Sequence, residues 1–235
     1  MIKFRLYLDK DKETEWLNKM AKEGYALKSF FAGFYTFEAC NPGEYIYQVD
    51  FGEKFFSITD SYREFMEETG VEIVQPWGYW IFLRKKAADG PFVLYTDVDS
   101  QIEHYTKIRN MFKIVTIIEL ILFMVEIYCY YQVPAGERLP NLICTIIVGL
   151  LAFAVMKAAF KTNNLIAELK ERKGESVSMK KGNVSRALLV GYLINLYALL
   201  IENPSLHTFK SVLHIFAIIL MLIGLYQSSH NMKVE

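Results

Sequence analysis

Ile2, Phe4, Leu6 and Leu8 alternate with Lys3, Arg5 and Tyr7 at the start of the chain. That is the period of a half-buried strand. The acids of "DKDKE" suit a helix N-terminus, after which Trp16, Leu17, Met20 and Ala21 recur at helical spacing until Gly24. "YALKSFFAGFYTFEA" and "EYIYQVDF" are rich in aromatic and β-branched residues, and the turn formers Asn41, Pro42 and Gly43 separate them, which predicts a strand pair. Ser61 and Glu64 form a capping box before Phe65 and Met66, and this second helix stops at Gly70. "VEIVQPWGYWIFLRK" returns as a strand with a break at Pro76. The predicted order is βαββαβ over residues 1–98, a ferredoxin-like α+β domain with both helices on one face of a four-stranded antiparallel sheet. The other face is then open. Alternation puts Tyr7, Phe30, Phe34, Trp80 and Phe82 on it, and a one-residue bulge near Gly33 would exchange some of these with core positions.

Past "DGPF" the pattern changes. Ser100 and Glu103 make another capping box, and nothing breaks the helix they open before Pro134. Four apolar segments follow, at about 111–133, 142–160, 184–201 and 211–226, and they predict an all-α bundle of four transmembrane helices on a helical stalk, residues 99–235. The connection from Lys157 to Arg186 holds 8 Lys+Arg and 3 Asp+Glu, whereas "YQVPAGERLPN" and "ENPSLHTF" carry almost no positive charge. The positive-inside rule then predicts a multi-pass protein of the cell membrane with both termini cytosolic. Leu165, Ile166 and Leu169 of "TNNLIAELKERKG" form a stripe expected to pack on Ile102, Tyr105 and Ile108 of the helix entering the first span.

Composition supports a mixed protein, because 53% of the 235 residues are hydrophobic, with 17 Phe and 15 Tyr. The formal charge is zero but unevenly divided: residues 1–100 hold 12 Lys+Arg against 17 Asp+Glu. Cys40, Cys129 and Cys144 are far apart and form no C-x-x-C, so no disulfide scaffold or structural zinc site is indicated, and free thiols fit a reducing compartment. The charged start has no apolar h-region, so no signal peptide is expected and the N-terminus should stay in the cytosol.

"WLNKMAKEGYALKSF", "GFYTFEACNPGEYIYQVDF" and "EETGVEIVQPWGYWIFLRKKAADGPF" resemble the bacterial membrane proteins grouped as domain of unknown function 2812. The resemblance covers about the first 110 residues and rests on spaced W-L, G-F-Y-x-F, G-E-Y, W-G-x-W and F-R-K-K type elements, the last written here as "FLRKKA". It implies a cytosolic domain on membrane spans, often encoded beside a PadR-like transcriptional regulator. It implies no catalytic residue.

Glu119 and Glu126 lie in the first apolar segment seven residues apart, within about 20° of one face of a helix. Together with Lys157, Asn195 and His214 they are candidates for an intramembrane polar site for an ion, a proton or a polar ligand. Interhelical hydrogen bonds that merely fix packing are the competing account. No P-loop, H-E-x-x-H, G-x-S-x-G or G-x-G-x-x-G occurs, so neither an enzyme nor a cofactor or metal site is indicated. The acidic first hundred residues argue against direct nucleic-acid binding, which needs positive field. The expectation is a membrane regulator or sensor whose cytosolic aromatic face docks a protein partner, with homo-oligomers open. A small transporter or accessory subunit using the glutamates is the alternative.

Overall fold

A computed structural model of the chain describes residues 1–134, 137–175, 184–201 and 204–230. It divides into two compact units, Met1–Asp97 and Val98–Glu235.

The first unit contains β1 (Ile2–Phe4), α1 (Lys10–Lys22), β2 (Tyr25–Phe31), β3 (Phe34–Ala39), β4 (Tyr45–Phe51), α2 (Asp60–Glu68), β5 (Glu72–Trp77) and β6 (Trp80–Lys86). The order is βαβββαββ, in two three-stranded antiparallel sheets, β1-β3-β2 and β4-β6-β5. This overturns the ferredoxin-like expectation. The run "VEIVQPWGYWIFLRK" is a hairpin and not one strand, because Gly78 takes a positive φ of 61° and turns the chain between the paired Trp77 and Trp80. "YALKSFFAGFYTFEA" does the same at Ala32 and Gly33, both at positive φ. The bulge of this hairpin falls between Leu27 and Ser29, away from Gly33, and its counterpart falls between Ile73 and Gln75.

Those two bulges expose a duplication. Each sheet is built from a β-α-β-β unit with the order first, third, second. A spacing of 46 residues relates Gly24 to Gly70, Leu27 to Ile73, Phe31 to Trp77, Phe34 to Trp80 and the last residue of α1 to that of α2. The halves meet between β2 and β5, where the side-chain amide of Gln75 replaces a ladder: Phe30 N donates to Gln75 Oε1 (3.0 Å) and Gln75 Nε2 donates to Phe30 O (2.9 Å). Pro76 beside it has no N–H to offer a neighbouring strand. α1 joins the halves a second time. Its Asn18 exchanges hydrogen bonds with the backbone of Tyr47 (2.8 and 2.9 Å), and Val49 N donates to Thr14 Oγ1 (3.0 Å), so these side chains satisfy backbone groups of β4. One core results, in which Trp16, Leu17 and Met20 pack with Phe30 and Tyr35 of the first sheet and Phe82 of the second.

The second unit contains α3 (Val98–Gln132), α4 (Leu139–Arg172), α5 (Arg186–Leu199) and α6 (His207–His230). α3 and α4 pack along their length as an antiparallel pair, each roughly 50 Å long at about 1.5 Å per residue. Asp99 at the start of α3 meets Lys173 just past the end of α4 (2.6 Å). Ile108, Ile166 and Leu169 are buried in this unit. α5 and α6 approach closely because Gly191 faces the backbone of Ala217 and Gly224 faces that of Leu188; a Cβ on Gly191 would lie 2.8 Å from Ala217 O.

Among the described residues two helices are long and apolar enough to cross a membrane, within Leu139–Arg172 and Thr208–Gln227, and only 33% and 22% of these stretches are buried. Val212, Ile215, Phe216 and Leu222 of α6 are left exposed. The expected four-span bundle is therefore not what forms. α5 has 14 residues, about 21 Å against a hydrocarbon core of roughly 30 Å, and α3 interrupts its apolar half with Glu119 and Glu126. Parts of all three connections used to orient the spans, 135–136, 176–183 and 202–203, lie outside the described residues.

Candidate functional site

Of the five polar positions picked from the sequence in the apolar half, the fold brings two together. Asn195 of α5 is fully buried, and its Nδ2 lies 3.3 Å from Nδ1 of the half-buried His214 of α6. The other ring nitrogen, Nε2, is hydrogen-bonded to the hydroxyl of Tyr131 near the end of α3. Three helices thus meet through three side chains. Lys210, one turn before His214, lies over the Tyr131 ring at 5.0 Å and donates to Ile201 O (3.0 Å), while Tyr130 OH donates to Leu199 O (2.8 Å) and Arg138 lies 5.4 Å from the Tyr130 ring. The last carbonyls of α5 are in this way satisfied by a lysine and a tyrosine from other helices.

With Asn195 Nδ2 donating, His214 Nδ1 must accept, so the ring is neutral and Nε2 carries the proton. Asn195 Oδ1 is then buried without a partner. Rotating the amide would reverse both roles: Oδ1 would accept from a protonated Nδ1, and Nε2 would accept from Tyr131 OH, again with a neutral ring. The arrangement therefore has two hydrogen-bonded forms, the two neutral tautomers, with the same number of protons.

Glu119, Glu126 and Lys157 do not join it. The two glutamates are half-buried, Lys157 is exposed, and none of the three takes part in a hydrogen bond or ion pair among the described residues. Tyr131 and Lys210 were not among the residues picked from the sequence. The run "YCYYQ" at the end of an apolar segment was the available signal for the tyrosine, since aromatic rings with a polar tip collect where apolar and wet surroundings meet. Between the helices a small apolar pocket is lined by Leu120, Phe123, Ala152, Met156, Tyr192 and Met221, with little polar surface to orient a ligand.

In the first unit the expected open face is mostly closed. Phe30 and Phe82 are core residues, Tyr7 and Trp80 are half-buried against the same core, and only Phe34 is exposed. The reason is the second hairpin: it gives each half its own sheet, and the two sheets cover one another's apolar sides. Inside this core lies an ionisable pair that the alternation could not reveal. Glu13 on α1 is 2% exposed and accepts a hydrogen bond from Tyr35 OH, while its Oε2 has no partner. Burial pushes the Glu13 carboxyl up to about 7, and burial together with the adjacent carboxylate holds the Tyr35 phenol far above its usual value. A second buried acid, Asp50, is fully satisfied: Tyr62 OH (2.6 Å), Tyr95 OH (2.9 Å) and Phe51 N (2.8 Å) all donate to it. That pattern ties α2 and the 87–97 segment to β4.

No group of three or more His, Cys, Asp or Glu among the described residues could hold a metal ion. No curated protein and no solved structure matches the chain. Residues 9–117 match the family model described as protein of unknown function (DUF2812), the span on which the tryptophan, glycine and aromatic elements of the resemblance lie.

Proposed function

We propose that this protein is a membrane-associated regulator: the polar cluster of the helical unit receives a signal, and the N-terminal α+β unit passes it to a cytosolic protein. The observation that carries the reading is the Tyr131–His214–Asn195 chain. A polar side chain within a membrane-length helix is costly, and an apolar trio of the same size would hold the helices together at lower cost. What the trio adds is a second hydrogen-bonded arrangement of the same side chains, and two arrangements are what a switch requires. A cell-membrane location with both termini in the cytosol is part of the proposal, and the excess of Lys and Arg between Lys157 and Arg186 supports it. The partner proposed is a protein, and the resemblance points to a PadR-like regulator as the first to try. The alternative, a small transporter or accessory subunit, has Glu119 and Glu126 carry the substrate or proton, and the two lie outside the Tyr131–His214–Asn195 chain on which this reading rests.

The test is chemical crosslinking of the full chain in native membranes, followed by capture, for the parent and for His214→Gln and Tyr131→Phe. A cytosolic protein crosslinked to residues 1–97, in a yield that both substitutions alter at equal membrane levels, is the expected result. Absence of any cytosolic protein, or a yield that neither substitution changes, refutes the reading.

A further inference from the structure

The two hairpin tips of the N-terminal unit carry apolar side chains that the core does not use. At the first tip Phe4, Leu6, Phe31 and Phe34 surround Ala32 and Gly33; Leu6 is 74% and Phe31 66% exposed, and the rings of Phe4 and Phe34 meet at a tilt, 4.8 Å apart. At the second tip Phe55 (61% exposed), Phe56 and Tyr79 surround Gly78, with ring contacts from Phe55 to Phe56 (4.4 Å) and to Tyr79 (5.2 Å). Trp77 joins the two tips, 4.9 Å from Phe31 and 5.1 Å from Phe56. The six exposed rings leave on the order of 600 Å² in one stretch, taking about 200 Å² per ring at half exposure. That is at or above the largest apolar patch of an ordinary soluble monomer.

We infer that this aromatic end is a lipid-docking surface that inserts between the headgroups of a bilayer. Three observations select lipid over a protein. First, the backbone at the tips is satisfied internally: Arg5 N donates to Gly33 O (2.9 Å), Gly52 N to Tyr79 O and Phe56 N to Gly78 O (both 2.7 Å). These turn groups enter an apolar phase with their hydrogen bonds made. Second, the tips themselves carry no excess of negative charge: Arg5 and Lys54 stand against Glu53 in the tip segments 4–6, 31–34, 52–56 and 77–80, although the unit is acidic as a whole. Third, the same chain holds two helices of membrane-spanning length and composition, so a bilayer is present at high effective concentration through a covalent link. This goes beyond the proposed function and does not depend on it, since it concerns how the N-terminal unit is held and not what the His214 cluster detects.

The chain has three tryptophans, which makes the test direct: Trp77 at the tips, Trp80 half-buried beside it, and Trp16 in the core. The full chain is reconstituted in vesicles of phosphatidylcholine, with and without phosphatidylglycerol, containing lipid brominated at a shallow acyl position. Tryptophan emission of the parent should be quenched by at least a quarter relative to unbrominated lipid, and Trp77→Phe should lose most of that quenching while Trp16 remains unquenched. Phe31→Ser with Phe55→Ser should reduce it as well. Stronger quenching with phosphatidylglycerol assigns a share to Arg5 and Lys54, and equal quenching in both vesicles assigns docking to the rings alone. Equal quenching of the parent and Trp77→Phe overturns the inference. So does an unquenched Trp77 whose tip variants lose a crosslinked protein or a crosslinked second copy, which would assign the patch to that occupant.

Discussion

Glu13 gives the N-terminal unit a pH dependence whose sign and size follow from its surroundings. Its carboxyl is raised from 4.5 to about 7, chiefly by burial, partly offset by the hydrogen bond from Tyr35. In the unfolded chain it ionises near its ordinary value. The folded form therefore holds a proton that the unfolded form releases, and stability contributed at pH below 4.5 is lost as pH rises towards and through 7, levelling off above it. At about 1.4 kcal/mol per pH unit the full loss is about 3 kcal/mol, a large share of the stability of a small domain. Glu13→Gln is nearly isosteric with the protonated acid, keeps an acceptor for Tyr35 OH and cannot ionise. For a unit of this size, with roughly 4–8 °C per kcal/mol, the gap between the melting midpoints of Glu13→Gln and parent should open by on the order of 10–20 °C between pH 4.5 and 8. Trp16 reports on this core, 4.7 Å edge-on from Tyr35, so its fluorescence followed on heating the full chain in detergent is the assay. Every other carboxylate is common to both proteins and cancels in the difference. A gap that stays constant from pH 4.5 to 8 would refute a neutral buried Glu13.

Gln75→Leu removes both hydrogen bonds between the half-sheets and strands Phe30 N and Phe30 O, and a loss of about 1–3 kcal/mol is expected in urea unfolding followed by Trp16 emission. Gly191→Ala drives a methyl towards Ala217 O and Met221, so α5 and α6 should separate, read as a lower detergent melting temperature and as new accessibility of a cysteine placed at Leu188. Tyr131→Phe leaves His214 Nε2 without its partner at a cost of about 1–3 kcal/mol, and the same change in a His214→Leu background should cost much less; equal costs would remove the hydrogen bond from the account.

Local elements were legible where pattern and punctuation agree. α1 announces itself through the Asp9 cap, the acids of its first turn and the spacing of Trp16, Leu17, Met20 and Ala21, and it ends before Gly24 as read. The hairpins were not legible as hairpins, because Phe31-Ala-Gly-Phe34 and Trp77-Gly-Tyr-Trp80 place bulky strand formers on both sides of a two-residue turn, and the apolar run hides the break. The two missed turns had two consequences. They converted βαβββαββ into a ferredoxin-like order, and they placed Phe30 and Phe82 on an open face when both lie in one shared core. In the helical half, apolarity was legible but span count was not. Segment length needs a breaker at each end, and α5 is held to 14 residues by its Ser185 cap and its last turn at Leu200. Asn195 and His214 belonged with Glu126 to the polar set picked from the sequence, and Asn195 does reach the histidine, whereas Glu126, expected beside it at a matching depth, does not. Tyr131 occupies that position instead, without adding a charge to an apolar interior.

The duplication separates what the β-α-β-β unit requires from what this chain adds to it. Met20 and Met66 are buried at equivalent places, as are Leu27 and the half-buried Ile73, and both turns after the helices use a glycine at positive φ, Gly24 and Gly70. Those are demands of the fold. Glu13 and Tyr35 have Thr59 and Ile81 as their counterparts, so the second half has no acid at the place of Glu13, and its own buried acid, Asp50, is fully hydrogen-bonded on β4. The pair is thus not needed to build the unit, and at neutral pH it lowers its stability. It also sits in the helix that has no equal in the other half: α1 is four residues longer than α2, and its Thr14 and Asn18 hold the backbone of β4. Glu13 directly precedes Thr14. An ionisation that loosens α1 therefore acts on one of the two joints between the halves, while the Gln75 joint is left intact. The half-sheets would shift about that remaining joint before either of them unfolds, since each keeps its own three-stranded ladder.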